Sequence, residues 1–571
     1  MSIELIKRIG GSDYLLQPLT DLDITKILTL VDPRMNEKQA TRFAKDHFSS
    51  DAGELRERLA VIAELKTLTT AGDLQRAIDR LKILETEQES LKVTPSRFGD
   101  TLYRWRIVAA YVRAVRTWND LLSGKPSGET DTSPRLRELR SFFKQLAEDE
   151  LIAACDRALQ ELDETLPLPR YIHLGLNLRE DGYPTELGII SAEGHLDLRA
   201  DDDAASSPDA GAGDAPAPLN ALLNATDPMS PSLSVGPEFV YHRGLYGSHF
   251  DEYLERQMEH EWKNRIGKAI KILDKIRITR IPELLSFVDA MSFYQVGLLC
   301  AEAFETRGYH LCRPDSRENV SLDIRGALYP DLILRSRDIQ GNDLLLKKGN
   351  AVIITGPNHS GKTSYLKTIG QCYMLAQLGF FVPADSMVFE PVTNIFTLFS
   401  AGEDSSMTAS RMGVEVKKLT EILKKATAAD LVLLNEPMTS TNPVEAVSIC
   451  ADLTRHFLDV GATHLLVTHL YDIYYLLKAQ LKSEHLGRLE SLITQSHYDE
   501  AAGSMVHSYR LIAHEPLGNS YARETAAAYG ITLEAMISDE TLRREADRYC
   551  DTYNKDSVYE GDDADGLSDH N

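Results

Sequence analysis

Reactive sulfur is scarce in this chain: six cysteines are spread over 571 residues. Cys155, Cys300, Cys312, Cys372, Cys450 and Cys550 show no CxxC or other metal-ligand spacing, which excludes a disulfide framework and reads as reduced, buried thiols. No run of 18 apolar residues suggests a membrane span. The opening residues, MSIELIKRIGGSDYLL, lack the apolar core and small-residue cleavage site of a secretory signal, so a cytoplasmic location is expected. Basic excess is missing too, with 86 acidic residues against 62 Lys plus Arg and a net charge of −24. That balance argues against coating nucleic acid nonspecifically by counterion release, and leaves room only for a local basic lining.

What is present is an ordinary globular composition, 43% hydrophobic and 26% charged, in a chain long enough for two to four domains. Residues 1–165 carry helical apolar spacing, as in ELRERLAVIAELKTL and RWRIVAAYVRAVRTWNDLL. At 166–200 the pattern switches to alternation around a Gly/Pro turn, RYIHLGLNLREDGYPTELGIISAEG, which predicts a small β connector. Residues 201–235 lose nearly all large apolar side chains and read as a disordered acidic insertion. Helical spacing returns over 236–319, and 320–535 alternate short β-branched runs with helices, the mark of an α/β domain with a largely parallel sheet. Residues 536–571 read as a helix and an acidic tail, and no internal repeat occurs. The expected fold class is therefore α plus α/β, multidomain.

The strongest motif joins the apolar run AVIIT to the helical run SYLKTIGQCYMLAQLG. Gly356, Pro357, Asn358, His359, Ser360, Gly361, Lys362 and Thr363 fit GxxxxGKT, with Ser364 following. Glycines let backbone N–H groups turn inward around phosphate oxygens, the helix start adds partial positive charge, and Lys362 reaches the terminal phosphates. Thr363 would supply a hydroxyl to Mg2+. A chance Gly-rich turn would lack the strand before it and the helix after it. ATP and Mg2+ are the expected substrate and cofactor.

A second run, LVLL at 431–434, ends in Asn435 and Glu436. P-loop ATPases commonly bring an acidic residue at this strand end to the magnesium shell, and the following glutamate to the attacking water. Glu436 is thus the candidate base. Asn435 can hold a metal-bound water through its amide oxygen but contributes no charge, which leaves metal affinity and turnover open. A third run, HLLVTH, ends at His469, placed to sense a γ-phosphate; away from a strand end, a structural histidine would be the simpler reading.

The stretch GPNHSGKTSYLKTIGQCYMLAQLGFFVPAD resembles the nucleotide-binding signature of the MutS family, typically TGPNMGGKST followed by a helix and AQIGSFVPA. Further blocks follow in family order: NIFTLFSAGEDSS, SRMGVEVKKLTEIL, LVLLNEPMTSTNPVEAVSIC, THLYDIYYL and GNSYARETAAAYGI. The resemblance implies an ABC-like P-loop ATPase, in which Asn358 contacts the nucleotide or the attacking water and Ser410 completes the ATP site of the partner subunit in a homodimer. Weaker similarity upstream implies a helical core over 1–165, lever helices over 236–319, and a reduced connector like that of shorter bacterial MutS-like proteins.

Several departures limit the carry-over. The Phe-x-Glu wedge of mismatch sensors is not found in the first 240 residues; Phe250-Asp-Glu252 has the letters but opens a predicted helix. An Smr domain is likewise not expected. His359 and Ser360 replace the usual Met-Gly, with side chains expected to point outward and to leave phosphate binding intact.

Two functions remain open from the sequence. One is a dimeric ATPase that clamps mismatched, branched or distorted DNA and changes shape with ATP. The other is a nucleotide-gated scaffold without direct DNA contact, towards which the acidic balance, the acidic tail and Asn435 lean. A transporter-type ATPase should carry LSGGQ before 431–434, and a coiled-coil chromosome ATPase should carry hundreds of heptad residues where only 73 positions separate Lys362 from Asn435.

Overall fold

The computed structural model describes residues 5–6, 13–91, 96–124, 133–168, 171–178, 184–193, 258–260, 262–318, 320, 322–335, 339–399, 411–499 and 504–516. The expected insertion at 201–235, the tail at 536–571, Phe250-Asp-Glu252, Ser410 and the block GNSYARETAAAYGI lie outside these residues. The chain divides into two compact units, one of Met1–Lys7 with Ala60–Leu298, the other of Arg8–Leu59 with Leu299–Asn571.

The first unit is helical where described, apart from one hairpin. Helices Ala71–Leu91, Arg97–Ser123, Pro134–Ala147 and Glu150–Thr165 bury their apolar faces on one another. Trp118 stacks on Phe143 with ring centroids 5.3 Å apart, and its Nε1–H donates to the Ala77 carbonyl at 2.9 Å, so a large indole is buried without an unmet donor. Glu64, almost fully buried, accepts from Arg140 Nη2 and from the Ser133 amide, each at 2.8 Å. A buried carboxylate needs such partners. The expected connector is present as β1 (Tyr171–Leu178) paired antiparallel with β2 (Pro184–Glu193).

The second unit carries two sheets. Strands β3 (Asp315–Ser316), β4 (Leu322–Ala327), β5 (Asn342–Leu346) and β7 (Ser386–Phe389) form one, ordered β3-β7-β4-β5. The other contains β6 (Ala351–Thr355), β8 (Ile395–Phe399), β9 (Leu431–Asn435), β10 (Thr463–Val467), β11 (Leu489–Asp499) and β12 (Ser504–Ala513). Its order is β12-β11-β6-β10-β9-β8, parallel throughout except for the antiparallel β11–β12 pair. Every residue of β6 and β9 is buried, as expected of parallel strands covered on both faces.

Residues 8–59 do not group with a helical domain over 1–165, because short helices after Tyr14 pack on the helix Lys362–Leu378 instead. That helix has almost no solvent face, so its polar side chains find partners in the N-terminal segment. Gln371 donates to the Leu22 carbonyl at 2.7 Å, Gln377 to the Ser49 carbonyl at 3.0 Å, and Lys367 pairs with Asp23. The approach is close enough to require glycine: a Cβ on Gly370 would stand 2.5 Å from the Leu22 side chain and 2.9 Å from that of Leu433. Among the described residues one stretch, Ile281–Glu305, is long and apolar enough on average to cross a membrane, but 61% of its 18-residue apolar window is buried inside the protein, as for a core helix.

One buried base in this unit has a pH consequence. His464 on β10 is fully buried, its ring centroid 5.1 Å from that of Phe457, and Nε2 has no hydrogen-bond partner. Burial pushes its pKa down to about 4; the Ala462 carbonyl opposes this and the Arg488 charge adds to it. The unfolded imidazole titrates near 6.5, so between about pH 6.5 and 4 the unfolded chain binds the extra proton and stability falls with pH. His464→Leu is therefore expected to lose less melting temperature than wild type between pH 7 and pH 5. Equal losses in thermal melts across that range would remove His464 from the acid response.

Candidate nucleotide site

Sheet order and register build the site. Val467 of β10 pairs with Ile354 of β6 on one side and with Asn435 of β9 on the other. The ends of β6, β10 and β9 therefore finish at one level, and the loops that leave them form a crevice at the carboxyl edge of the sheet. The GxxxxGKT segment, Asn435-Glu436 and His469 meet there although up to 113 positions separate them in sequence.

The loop from Gly356 to Gly361 needs its glycines. Gly356 has φ +150 and a Cβ there would lie 1.9 Å from Thr494 Oγ1; Gly361 has φ +91 and caps the helix Lys362–Leu378. Between them His359 also adopts a left-handed φ of +64. Asn358 and His359 are exposed, but Ser360 is not: it is 1% exposed, its Oγ donates to the Pro357 carbonyl at 2.7 Å and accepts from Thr494 Oγ1 at 2.7 Å. The expectation that both His359 and Ser360 point outward thus fails for Ser360, because the loop folds that side chain inward against β11.

Lys362 is 4% exposed and its Nζ donates to the carbonyls of Gly356 at 2.9 Å and Pro357 at 2.7 Å. Burial lowers its pKa from the ordinary lysine value, and the Glu436 carboxylate pushes it back up. His507 on β12 is lowered as well, by burial and then by the charges of His359 and Lys362. Two basic groups that disfavour protonation of His507 mark a place where a polyanion is welcome.

Thr363 Oγ1 donates to Asn435 Oδ1 at 2.8 Å, which brings the two expected metal-shell residues into contact. Among the described residues no group of three or more His, Cys, Asp or Glu could hold a metal on its own. A hydroxyl and an amide oxygen fit Mg2+ that is also held by phosphates and waters. Glu436 follows β9 directly, with its amide donating to the Val467 carbonyl at 2.8 Å. His469 Nδ1 lies 3.8 Å from Glu436 Oε2.

These residues border a cleft of about 510 Å3. Asn358, His359, Gly361, Lys362, Thr363, Ser364 and Glu436 form its polar side. Gly356, Pro357 and Ser360 support the loop from behind, and His469 touches the cleft only through Glu436. Tyr329, Leu332, Ile339 and Tyr509 give the cleft an apolar and aromatic wall, with the Tyr509 ring close against Gly361. Sequence reading missed these four, since none belongs to a motif and they come from two separate stretches. Asn342 ties the wall together: its Nδ2 donates to the Tyr509 carbonyl at 2.9 Å and its Oδ1 accepts from the Leu511 amide at 3.0 Å. A cleft that joins an apolar, aromatic wall to a polar part holding Lys362 suits a nucleoside polyphosphate.

The Ser360–Thr494 contact should be measurable. Ser360→Ala and Thr494→Val are each expected to lower stability by about 1 kcal/mol. The double variant should fall no lower than the worse single, because both remove one bond. Full additivity in calorimetric unfolding would show that the two hydroxyls act separately.

Comparison with known proteins agrees with this geometry. Residues 352–536 match the family model described as MutS domain V. "MutS protein homolog 4" of mouse (Mus musculus) is 31% identical over 205 residues, covering 36% of this chain and 21% of that protein. "DNA mismatch repair protein MutS" of Lactobacillus delbrueckii subsp. bulgaricus is 27% identical over 262 residues, 45% of this chain and 29% of that protein. The protein of the same name from Chlorobium phaeovibrioides is 28% identical over 255 residues, 43% and 28%. The matched segments thus span less than a third of these relatives. With the phosphate loop, the Asn-Glu strand end and the sheet order all in the region that the model matches, residues 352–536 are a domain of the MutS family, its domain V.

Proposed function

We propose that this chain is a DNA-binding ATPase that works as a homodimer, holding mismatched, branched or otherwise distorted duplex and changing conformation as ATP is bound and hydrolysed. The observation that carries the ATP part is the convergence of Lys362, the Thr363–Asn435 contact and Glu436 on one cleft that also has aromatic lining. The names of the bacterial relatives support the DNA part.

In this reading the nucleoside lies against Tyr329 and Tyr509, and the phosphates take up the amides of the Gly356–Gly361 loop. Lys362, now bonded to two loop carbonyls, turns its ammonium to the terminal phosphates, an exchange that keeps a buried cation paired throughout. Thr363 and Asn435 would hold Mg2+, which would supply charge neutralisation on the phosphates. Asn358 and Glu436 orient water for attack, Glu436 accepts its proton, and His469, beside Glu436, responds to the γ-phosphate. Ser410 acts on the partner's site. Ordering of these segments around the γ-phosphate is a sufficient route from chemistry to movement elsewhere in the chain.

A second reading, a nucleotide-gated scaffold without DNA contact, is favoured by the net charge of −24 and by the uncharged Asn435. Binding to homoduplex, mismatched, branched and single-stranded DNA, with and without ATP and over a salt series, separates the two. Retention of DNA in no nucleotide state would select the scaffold.

For the ATP site, Lys362→Ala should abolish ATP binding with the melting curve preserved, and Glu436→Gln should bind ATP but hydrolyse it at least about a hundredfold more slowly. Equal turnover in Glu436→Gln and wild type would remove that residue from the chemistry. Asn435→Asp should lower the magnesium concentration for half-maximal activity, since it adds a charge at Thr363. Mixing Ser410→Ala with Lys362→Ala protein should restore part of the activity if sites are shared between subunits.

A further inference from the structure

The turn that presents Glu436 is conformationally costly and is held from several directions. Glu436 has φ +49 and Met438 has φ +63, with Pro437 between them. Two left-handed non-glycine residues in three positions persist only where the surroundings fix them. The Glu436 amide is taken by Val467, and the Met438 side chain is 2% exposed in the apolar core beside β9. The Pro437 carbonyl faces Cys450 Sγ at 3.8 Å. Burial and the nearby Glu415 carboxylate push that thiol up to about 12, so it stays protonated and able to donate.

Proline has no N–H, so the Met438 amide is the next donor of the turn, and it points at a side chain from elsewhere. It donates to Glu415 Oε1 at 2.7 Å. Glu415 belongs to the helix Arg411–Lys425, which lies over the same apolar core through Leu419 and Ile422. Of the contacts to this turn described above, it is the only one made by a carboxylate, and a bond from an amide to a carboxylate is stronger than one between neutral groups.

We propose that Glu415 is a positioning residue for Glu436, keeping the turn after β9 in the left-handed form that presents the Glu436 carboxylate to the nucleotide cleft. The inference rests on the reading of Glu436 as the residue that orients water. Glu415 touches neither nucleotide nor water; it acts through the backbone of Met438. Loss of the bond lets the turn relax towards ordinary φ values, which withdraws Glu436 from the cleft while the phosphate loop, 2 strands away in the sheet order, is left as it was.

Reach and charge are separated by three variants, Glu415→Asp, Glu415→Gln and Glu415→Ala, assayed beside Glu436→Gln. Aspartate keeps the charge but is one methylene short of the amide; glutamine keeps the reach and an acceptor oxygen. Glu415→Asp and Glu415→Ala should lower kcat for ATP hydrolysis about tenfold, equivalent to about 1.4 kcal/mol of transition-state stabilisation. KM and the directly measured Kd for ATP should stay within about twofold, and Glu415→Gln should keep kcat within about threefold of wild type. Melting curves check folding, and if alanine destabilises the helix the aspartate–glutamine pair carries the test alone. Wild-type kcat in Glu415→Asp beside a slow Glu436→Gln would overturn the role of Glu415 and leave Glu436 in place. A loss in Glu415→Gln as large as in Glu415→Asp would also overturn it, since the hydrogen bond would not be what matters. A fully active Glu436→Gln would instead sink the reading on which both depend.

Discussion

A loop of backbone amides at the carboxyl edge of a parallel sheet can face a polyphosphate only if the chain reverses between strand and helix without side chains in the way. Gly356 and Gly361 make that reversal, at φ +150 and +91, and the rest of the second unit is arranged around it. Thr494 lies where a Cβ on Gly356 would be, and through Ser360 it bonds to the loop from the side of β11. Tyr509 does the same at Gly361, where an added Cβ would meet its ring at 3.1 Å. The β11–β12 hairpin therefore braces the phosphate loop and also contributes the aromatic wall of the cleft.

The helix behind the loop is fixed just as firmly. Nearly all of Lys362–Leu378 is buried, and its glutamines and Lys367 meet carbonyls and a carboxylate from the first 59 residues. A side chain as polar as Arg58 can be fully buried there because Glu54 pairs with it at 2.8 Å and the His47 carbonyl accepts from Nη1. Burial of charge without such partners would cost several kcal/mol. The same principle applies to the Glu436 turn, where left-handed backbone is held by partners for the Glu436 amide, the Pro437 carbonyl and the Met438 amide.

Much of this was legible before any coordinates. The strand–loop–helix around Lys362 follows from an all-apolar β-branched run, two glycines and a long apolar helix; the hairpin of β1 and β2 follows from alternation around Gly182-Tyr183-Pro184. Residue type and motif position assign Thr363 and Asn435 to the same metal shell, and their oxygens meet. Other features were hidden because they depend on contacts between distant stretches. Helical spacing in the first 165 residues says that an apolar face exists, not which element covers it, so the allegiance of residues 8–59 could not be read. Ser360 looked like a loop residue facing solvent because its partner, Thr494, is 134 positions away. Tyr329, Tyr509, Asn342 and Glu415 carry no motif of their own.

Sequence alone determined the local chemistry on offer: which side chains stand in the phosphate loop and at the strand ends of the proposed nucleotide site, because that depends on residue type at short spacing. Tertiary structure decided how the pieces are combined: the order β6-β10-β9, the inward Ser360, the hairpin wall and the carboxylate from Arg411–Lys425 that holds the turn of Glu436. The physical reason is range. Backbone propensity and motif spacing act over a few residues, whereas strand order and buried hydrogen bonds are settled by which distant apolar faces and polar groups satisfy one another.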